Sequence, residues 1–246
     1  MTGYVTYLWL EAKRQWRDRQ ALLFRLGLPL GVYLILIAVQ DRPERPTGGL
    51  PWETGRMVAL AALGAVISGL AAGPSLGEGR ASGWLRQLRV TPLRPSAAVT
   101  AKIAVAMSFA LPAIALVAAA GGLTDHVTLD WGRWISLVAL MWLATAPITA
   151  LGALLGLTFA AQAAQGATNL AFLLLWLLGG IFTSPDSLPD TLAAVARSLP
   201  SYGAIQVGQA AASGNLVPAS AVAVLAAWTA GAGALAALAW RRVVAR

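Results

Sequence analysis

The sequence has no cysteine and a single histidine, His126. A disulfide scaffold, a thiolate metal site and a cysteine nucleophile are thereby excluded, and no second imidazole is available for a histidine-rich metal cage. Charge is scarce as well. Asp, Glu, Lys and Arg make up 11% of the 246 residues, against about 25% in soluble domains. There is no Walker A pattern: Lys13 follows Ala12 and Lys102 follows Ala101, so no G-x-x-x-x-G-K-[ST] loop exists to cradle ATP phosphates. Glycine-serine linkers, low-complexity tracts and convincing internal repeats are also lacking, which predicts one domain over 1–246.

What is present is apolar. Hydrophobic residues make up 58% of the chain, and the net charge is +8. A nucleic-acid partner would require the basic residues to gather on a water-facing surface, but they flank long apolar runs instead, so lipid is the expected solvent. Crossing a hydrocarbon core of about 30 Å takes roughly 20 apolar residues. Six runs qualify, at 21–39, 57–76, 103–123, 134–160, 163–182 and 217–240, the fourth and fifth separated only by the polar break at Gln162 and Gln165. Their continuity excludes alternating barrel strands and predicts an all-α membrane protein. Mixed-charge residues precede the first run and no small-x-small pair follows it, so it is expected to be a retained span rather than a cleaved signal. Pro29, Pro112 and Pro147 fall inside runs, where each removes a backbone donor and should bend its helix.

Charge asymmetry predicts the orientation. Lys13, Arg14, Arg17, Arg19 and Arg25 precede or enter the first run; Arg80, Arg86, Arg89, Arg94 and Lys102 lie between the second and third; Arg241, Arg242 and Arg246 follow the last. The other connections hold only Arg42, Arg45, Arg56, Arg133 and Arg197, and most of the acids. By the positive-inside rule both termini are expected in the cytoplasm, which six spans permit.

Two segments outside the runs are patterned. Residues 1–20 are expected to form an interfacial helix whose amphipathic pattern extends from Tyr4 to Phe24, with Val5, Leu8, Trp9, Ala12, Trp16 and Leu23 on one face and Glu11, Arg14, Arg17 and Asp18 on the other. Glu11 with Arg14, and Arg14 with Asp18, would pair on its surface. Such a helix serves either as a plain lipid anchor or as a docking element. The second segment, Ser82 to Val90, is a short helix candidate with Trp84, Leu85 and Leu88 on one side, Arg86 and Arg89 elsewhere, and Pro92 beyond its end. Read by itself, it is equally a solvated basic loop.

The order of these features resembles the ABC-2 type transporter permeases, the membrane components of many bacterial ATP-driven exporters. The likeness rests on three segments. Leu10 to Leu34 is similar to a basic interfacial helix running into a proline-containing first span. Glu78, Arg80, Gly83, Leu88, Arg89, Pro92 and Lys102 resemble the pattern of the first cytoplasmic loop, with the departure that Gly79 stands where many members carry another charge. Gly179 to Gln206 resembles the outer helical hairpin between spans five and six.

The resemblance implies that Ser82 to Val90 is a coupling helix seated in a separate ABC ATPase. The candidate ATPase contacts are then Arg14, Arg17, Glu78, Arg80, Trp84, Leu85, Arg86, Leu88 and Arg89. It also implies two ATPases binding Mg-ATP, a second permease chain, identical or not, no cofactor in this chain, and a bacterial inner (plasma) membrane location. Gln165, Asn169, Phe172 and Trp176 lie at i, i+4, i+7 and i+11 along the fifth run. They read either as the lining of a substrate path for an amphipathic drug, antibiotic or lipid, or as ordinary interhelical packing. Gly152 with Gly156, and Gly64 with Ser68, are small-xxx-small pairs expected to mark close packing. Two other classes compete. An intramembrane serine protease built on Ser68 lacks a base, since His126 sits beside Asp125 in a loop and no lysine lies within a run. An ATP-independent carrier or membrane assembly factor would be distinguished by the absence of a neighbouring reading frame with Walker motifs.

Overall fold

The computed structural model describes residues 2–39, 50–82, 95–125 and 127–245. The regular elements among them are helices. In chain order they are α1 (Thr2–Arg17), α2 (Arg19–Leu22), a π-helical turn (Leu23–Gly27), α3 (Leu28–Val39), α4 (Trp52–Leu70), α5 (Ala72–Ala81) and α6 (Pro95–Thr124). There follow α7 (Trp131–Leu143), α8 (Ala146–Thr158), α9 (Ala161–Leu177), a 3-10 turn (Pro185–Ser187), α10 (Asp190–Arg197), α11 (Pro200–Ser213) and α12 (Ala219–Ala245).

Three of the interruptions have a proline four residues downstream. Proline offers no N–H to the carbonyl four residues before it and crowds that carbonyl. Pro74 accounts for the break after Leu70, Pro147 for the break after Leu143, and Pro29 for the π turn containing Arg25. Pro147 therefore starts a new helix instead of bending an old one. Pro112 lies inside the unbroken α6. The interfacial helix also differs from the expected Tyr4–Phe24 element. It stops at Arg17, because the Asp18 carboxylate turns back to accept the Ala21 amide at 3.0 Å and caps α2.

Among the described residues, five stretches are long and apolar enough to cross a membrane: Arg19–Val39, Trp52–Ala81, Val99–Thr124, Trp131–Thr158 and Ala219–Val243. They match five of the six apolar runs. The remaining run, 163–182, forms α9 of 17 residues, about 25 Å of helix. Its last part turns away because Gly180 adopts φ +85° and the Phe182 amide closes onto the Trp176 carbonyl. The chain then enters the α10–α11 pair. Ser201 donates to the Leu175 carbonyl at 3.0 Å, fastening the start of α11 to the end of α9. Most of α11 is buried, packed on α4, α7 and α12, and it ends at Gly214 (φ +75°) with the Asn215 amide bonded to the Ala210 carbonyl, a left-handed helix cap.

The centre of the bundle is α4–α5, 78% buried over its apolar window, whereas Arg19–Val39 is 11% buried and the last helix 22%. The large apolar residues of the outer helices, among them Ile35, Val39, Leu170, Leu173, Leu235 and Leu238, are exposed, a surface suited to lipid. Close backbone approach organises the centre. A methyl at Gly156 would overlap the Gly73 carbonyl, and one at Gly152 would lie 2.9 Å from the Gly69 carbonyl, so the glycine pairs of α8 interleave with Gly69 and Gly73. Gly64 meets Ala113 and Pro29 in the same manner. Both small-residue pairs serve helix packing. Ser68 is fully buried, and its hydroxyl has no hydrogen-bond partner among the described residues.

Candidate functional site

A cavity of about 620 Å3 opens between the α1–α2 corner, the π turn, α4–α5 and α9, within the size range of small-molecule sites. Its apolar wall includes Phe24, Leu28, Ile67, Leu70 and Phe172; its polar groups include Glu11, Arg14, Gln15, Asp18, Arg25, Glu78, Gln165 and Asn169. A smaller cavity of about 230 Å3 adjoins it and shares Arg14, Ser75 and Glu78, adding Gly79, Ser82 and Lys102.

The polar wall is held by α1. Glu11 was expected on a solvated face, but it is 7% exposed and receives Lys102 Nζ at 3.2 Å; Lys102 itself is 3% exposed and also donates to Ser75 Oγ at 2.9 Å and to the Ser75 carbonyl at 3.3 Å. The helix thus lies with its acid towards the bundle, while Val5, Trp9 and Trp16 stay exposed on the apolar face, as an interfacial helix requires. Arg14 grazes Glu11 at 4.0 Å with its side chain 71% exposed. No ion pair or hydrogen bond joins it to Asp18, which caps α2. Arg25 is held by Gln15 at 2.5 Å and lies over the Phe109 ring, 5.2 Å from its centroid, where Trp16 also packs. Around Tyr7, on the same helix, burial and then the Glu11 charge push the phenol's pKa upward, so it remains neutral.

The stripe along α9 divides into two linked pairs. Gln165 donates to Asn169 at 2.9 Å, and Phe172 and Trp176 stack with centroids 6.1 Å apart. Gln165, Asn169 and Phe172 line the larger cavity; Trp176 does not, and packs on Phe182 at 5.5 Å instead.

The residues linked by resemblance to an ATPase are scattered. Arg14 and Glu78 line both cavities, and Arg17 is exposed. Arg80 reaches the carbonyls of Gly156, Leu157 and Phe159 at 3.2, 2.5 and 3.2 Å. It thereby caps the C-terminus of α8, where a cation complements the helix dipole. Trp84, Leu85, Arg86, Leu88 and Arg89 lie outside the described residues.

One cluster escaped the sequence reading. Arg56 and Asp125, counted there as loop charges, form a buried pair at 2.5 Å with side chains 7% and 1% exposed. Tyr33 donates to the same carboxylate oxygen at 2.6 Å, and Trp52 covers the guanidinium at 4.1 Å. The available signal was position: a phenol inside one apolar run and two opposite charges at the edges of two others, Arg56 just before 57–76 and Asp125 just after 103–123.

Comparison with known proteins points to one family. The family profile described as "ABC-2 type transporter" matches residues 2–211. The chain is also similar to "Putative transport permease YvfS" of Bacillus subtilis (strain 168), with 26% identity over 201 residues, 78% of each chain. Membrane subunits of this family are transport components that associate with an ABC ATPase and are not themselves catalytic. With its several apolar spans and a profile match across nearly its whole length, this multi-pass membrane protein belongs to the ABC-2 type transporter family.

Proposed function

We propose that this chain is the permease subunit of an ATP-driven exporter, moving an amphipathic drug, antibiotic or lipid-like compound out of the cytoplasm or the inner leaflet of a bacterial inner membrane. On this reading it crosses the membrane six times with both termini cytoplasmic, the α9 segment being the fifth crossing and α10–α11 the outer hairpin. Hydrolysis of Mg-ATP takes place on two copies of a separate ABC ATPase, and a second permease chain completes the transporter. Ser82 to Val90 docks into the ATPase through Trp84, Leu85 and Leu88, with Arg86, Arg89 and Arg17 at the rim, because docking energy concentrates in a few apolar anchors.

The observation that carries the reading is the cavity, which gathers residues distant in sequence, Glu11, Glu78 and Asn169, around an apolar wall in a chain of a transport family. Copurification with the ATPase from the adjacent reading frame, followed by a screen for compounds that stimulate its hydrolysis, tests it. Leu88→Asp is expected to abolish that association while insertion stays normal, and Phe172→Ala to change which compounds stimulate. Failure to copurify with the ATPase, or hydrolysis that no compound stimulates, would remove the exporter assignment and favour an ATP-independent carrier; full stimulation by the same compounds in both variants would remove only the roles given to Leu88 and Phe172.

A further inference from the structure

The charges lining the cavity are not equally available. Glu11 is occupied by Lys102 and receives Gln15 at 3.4 Å. Asp18 accepts the Ala21 amide through one oxygen and its charge faces Arg25, which is itself held by Gln15 and the Phe109 ring. Lys102 is already shared between Glu11 and Ser75. Two groups of opposite sign remain. The Arg14 guanidinium is largely exposed and touches Glu11 only at 4.0 Å. The Glu78 carboxylate is exposed, enters no hydrogen bond or ion pair among the described residues, and feels Lys102 only through space. Both groups line the large cavity and the small one beside it.

A ligand that satisfies this wall needs one negative group for Arg14, one positive group for Glu78, and an apolar body for Phe24, Leu28, Ile67 and Phe172. A purely cationic or anionic amphipath would meet one of the two charges with like sign, at a cost that grows as the groove excludes water. Phe24, which lines the cavity and is 66% exposed, with the exposed Leu23 beside it in sequence, offers a path for an alkyl chain from the lipid side. We infer that the groove binds a single-chain zwitterionic amphipath, with its head between Arg14 and Glu78 and its tail along Phe24 and Phe172. This deepens the exporter reading and rests on taking the cavity as the substrate path.

The test uses the full chain without ATPase in nanodiscs of phosphatidylglycerol. Three probes share one photoreactive hexadecyl chain and differ in head group: phosphocholine, sulfate and trimethylammonium. The phosphocholine probe should label the peptides containing Phe24 and Phe172 about tenfold more than either other probe, as expected for one additional charge-assisted contact. Glu78→Gln should cut phosphocholine labelling about tenfold and raise labelling by the sulfate probe. Arg14→Gln should cut it similarly and raise labelling by the trimethylammonium probe. Equal labelling by all three head groups, or a preference unchanged in both variants, overturns the inference. ATPase stimulation is measured separately with the partner subunit present. Selective labelling without any stimulation leaves the site standing and removes the exporter reading. Stimulation that ignores both variants removes the zwitterion site and leaves the exporter.

Discussion

Lys102 and Asp125 stand at opposite ends of α6, roughly 35 Å apart along the helix, and each belongs to a buried ion pair of different construction. At the Lys102 end the carboxylate comes from the interfacial α1, Ser75 supplies two further acceptors, and a cavity of about 230 Å3 adjoins the ammonium. At the Asp125 end the guanidinium of Arg56 is enclosed by Trp52 and Tyr33, and the phenol is spent on the same carboxylate. A pair beside a cavity can rehydrate when one partner is lost. An enclosed pair leaves its survivor charged, dry and unpaired. One end of the molecule is therefore built to tolerate rearrangement, and the other to hold three helices together.

Four substitutions test that contrast, in descending order of effect. Asp125→Ala strands Arg56 and should cost about 3 to 5 kcal/mol, read as a lowered thermal midpoint and a poor yield of folded protein in nanodiscs. Glu11→Ala should cost less, about 1 to 3 kcal/mol, since Lys102 keeps Ser75 and gains water. Its signature is faster hydrogen exchange confined to α1, with α4 to α8 unchanged; a loss equal to that of Asp125→Ala would erase the distinction between the two ends. Arg80→Ala removes the cation at the end of α8 and should cost about 1 kcal/mol, with faster exchange around Thr158 to Ala161 and partial recovery in Arg80→Lys. Gln165→Ala should reduce stability by less than about 0.5 kcal/mol, because its side chain is exposed and, among the described residues, bonds only Asn169. A larger loss would make the α9 stripe a packing element.

The contrast also shows why charge counting is a blunt instrument in this chain. Arg56, Arg80 and Lys102 each entered the positive-inside count as loop residues, yet one is paired inside the bundle, one caps a helix and one is buried beside α1. The count uses only distance from a span end, and all three satisfy it. Nothing in it distinguishes a solvated arginine from one folded inward.

Local composition was enough for the all-helical class, for five of the long apolar helices and for the spacing that brings Gln165, Asn169 and Phe172 onto one face, because hydrophobic runs and the 3.6-residue period act over neighbouring residues. Proline positions belong to the same category, since Pro29, Pro74 and Pro147 each interrupt regular helix four residues upstream. The tertiary structure alone decided which charges are internal. Glu11 finds Lys102 across 91 positions, Arg56 finds Asp125 across 69, and Tyr33 finds Asp125 across 92. It also decided that the groove draws its wall from α1, α5 and α9 together. Burying a charge is costly unless a partner is in place, and whether one is in place depends on how helices far apart in the chain pack, which no local pattern contains.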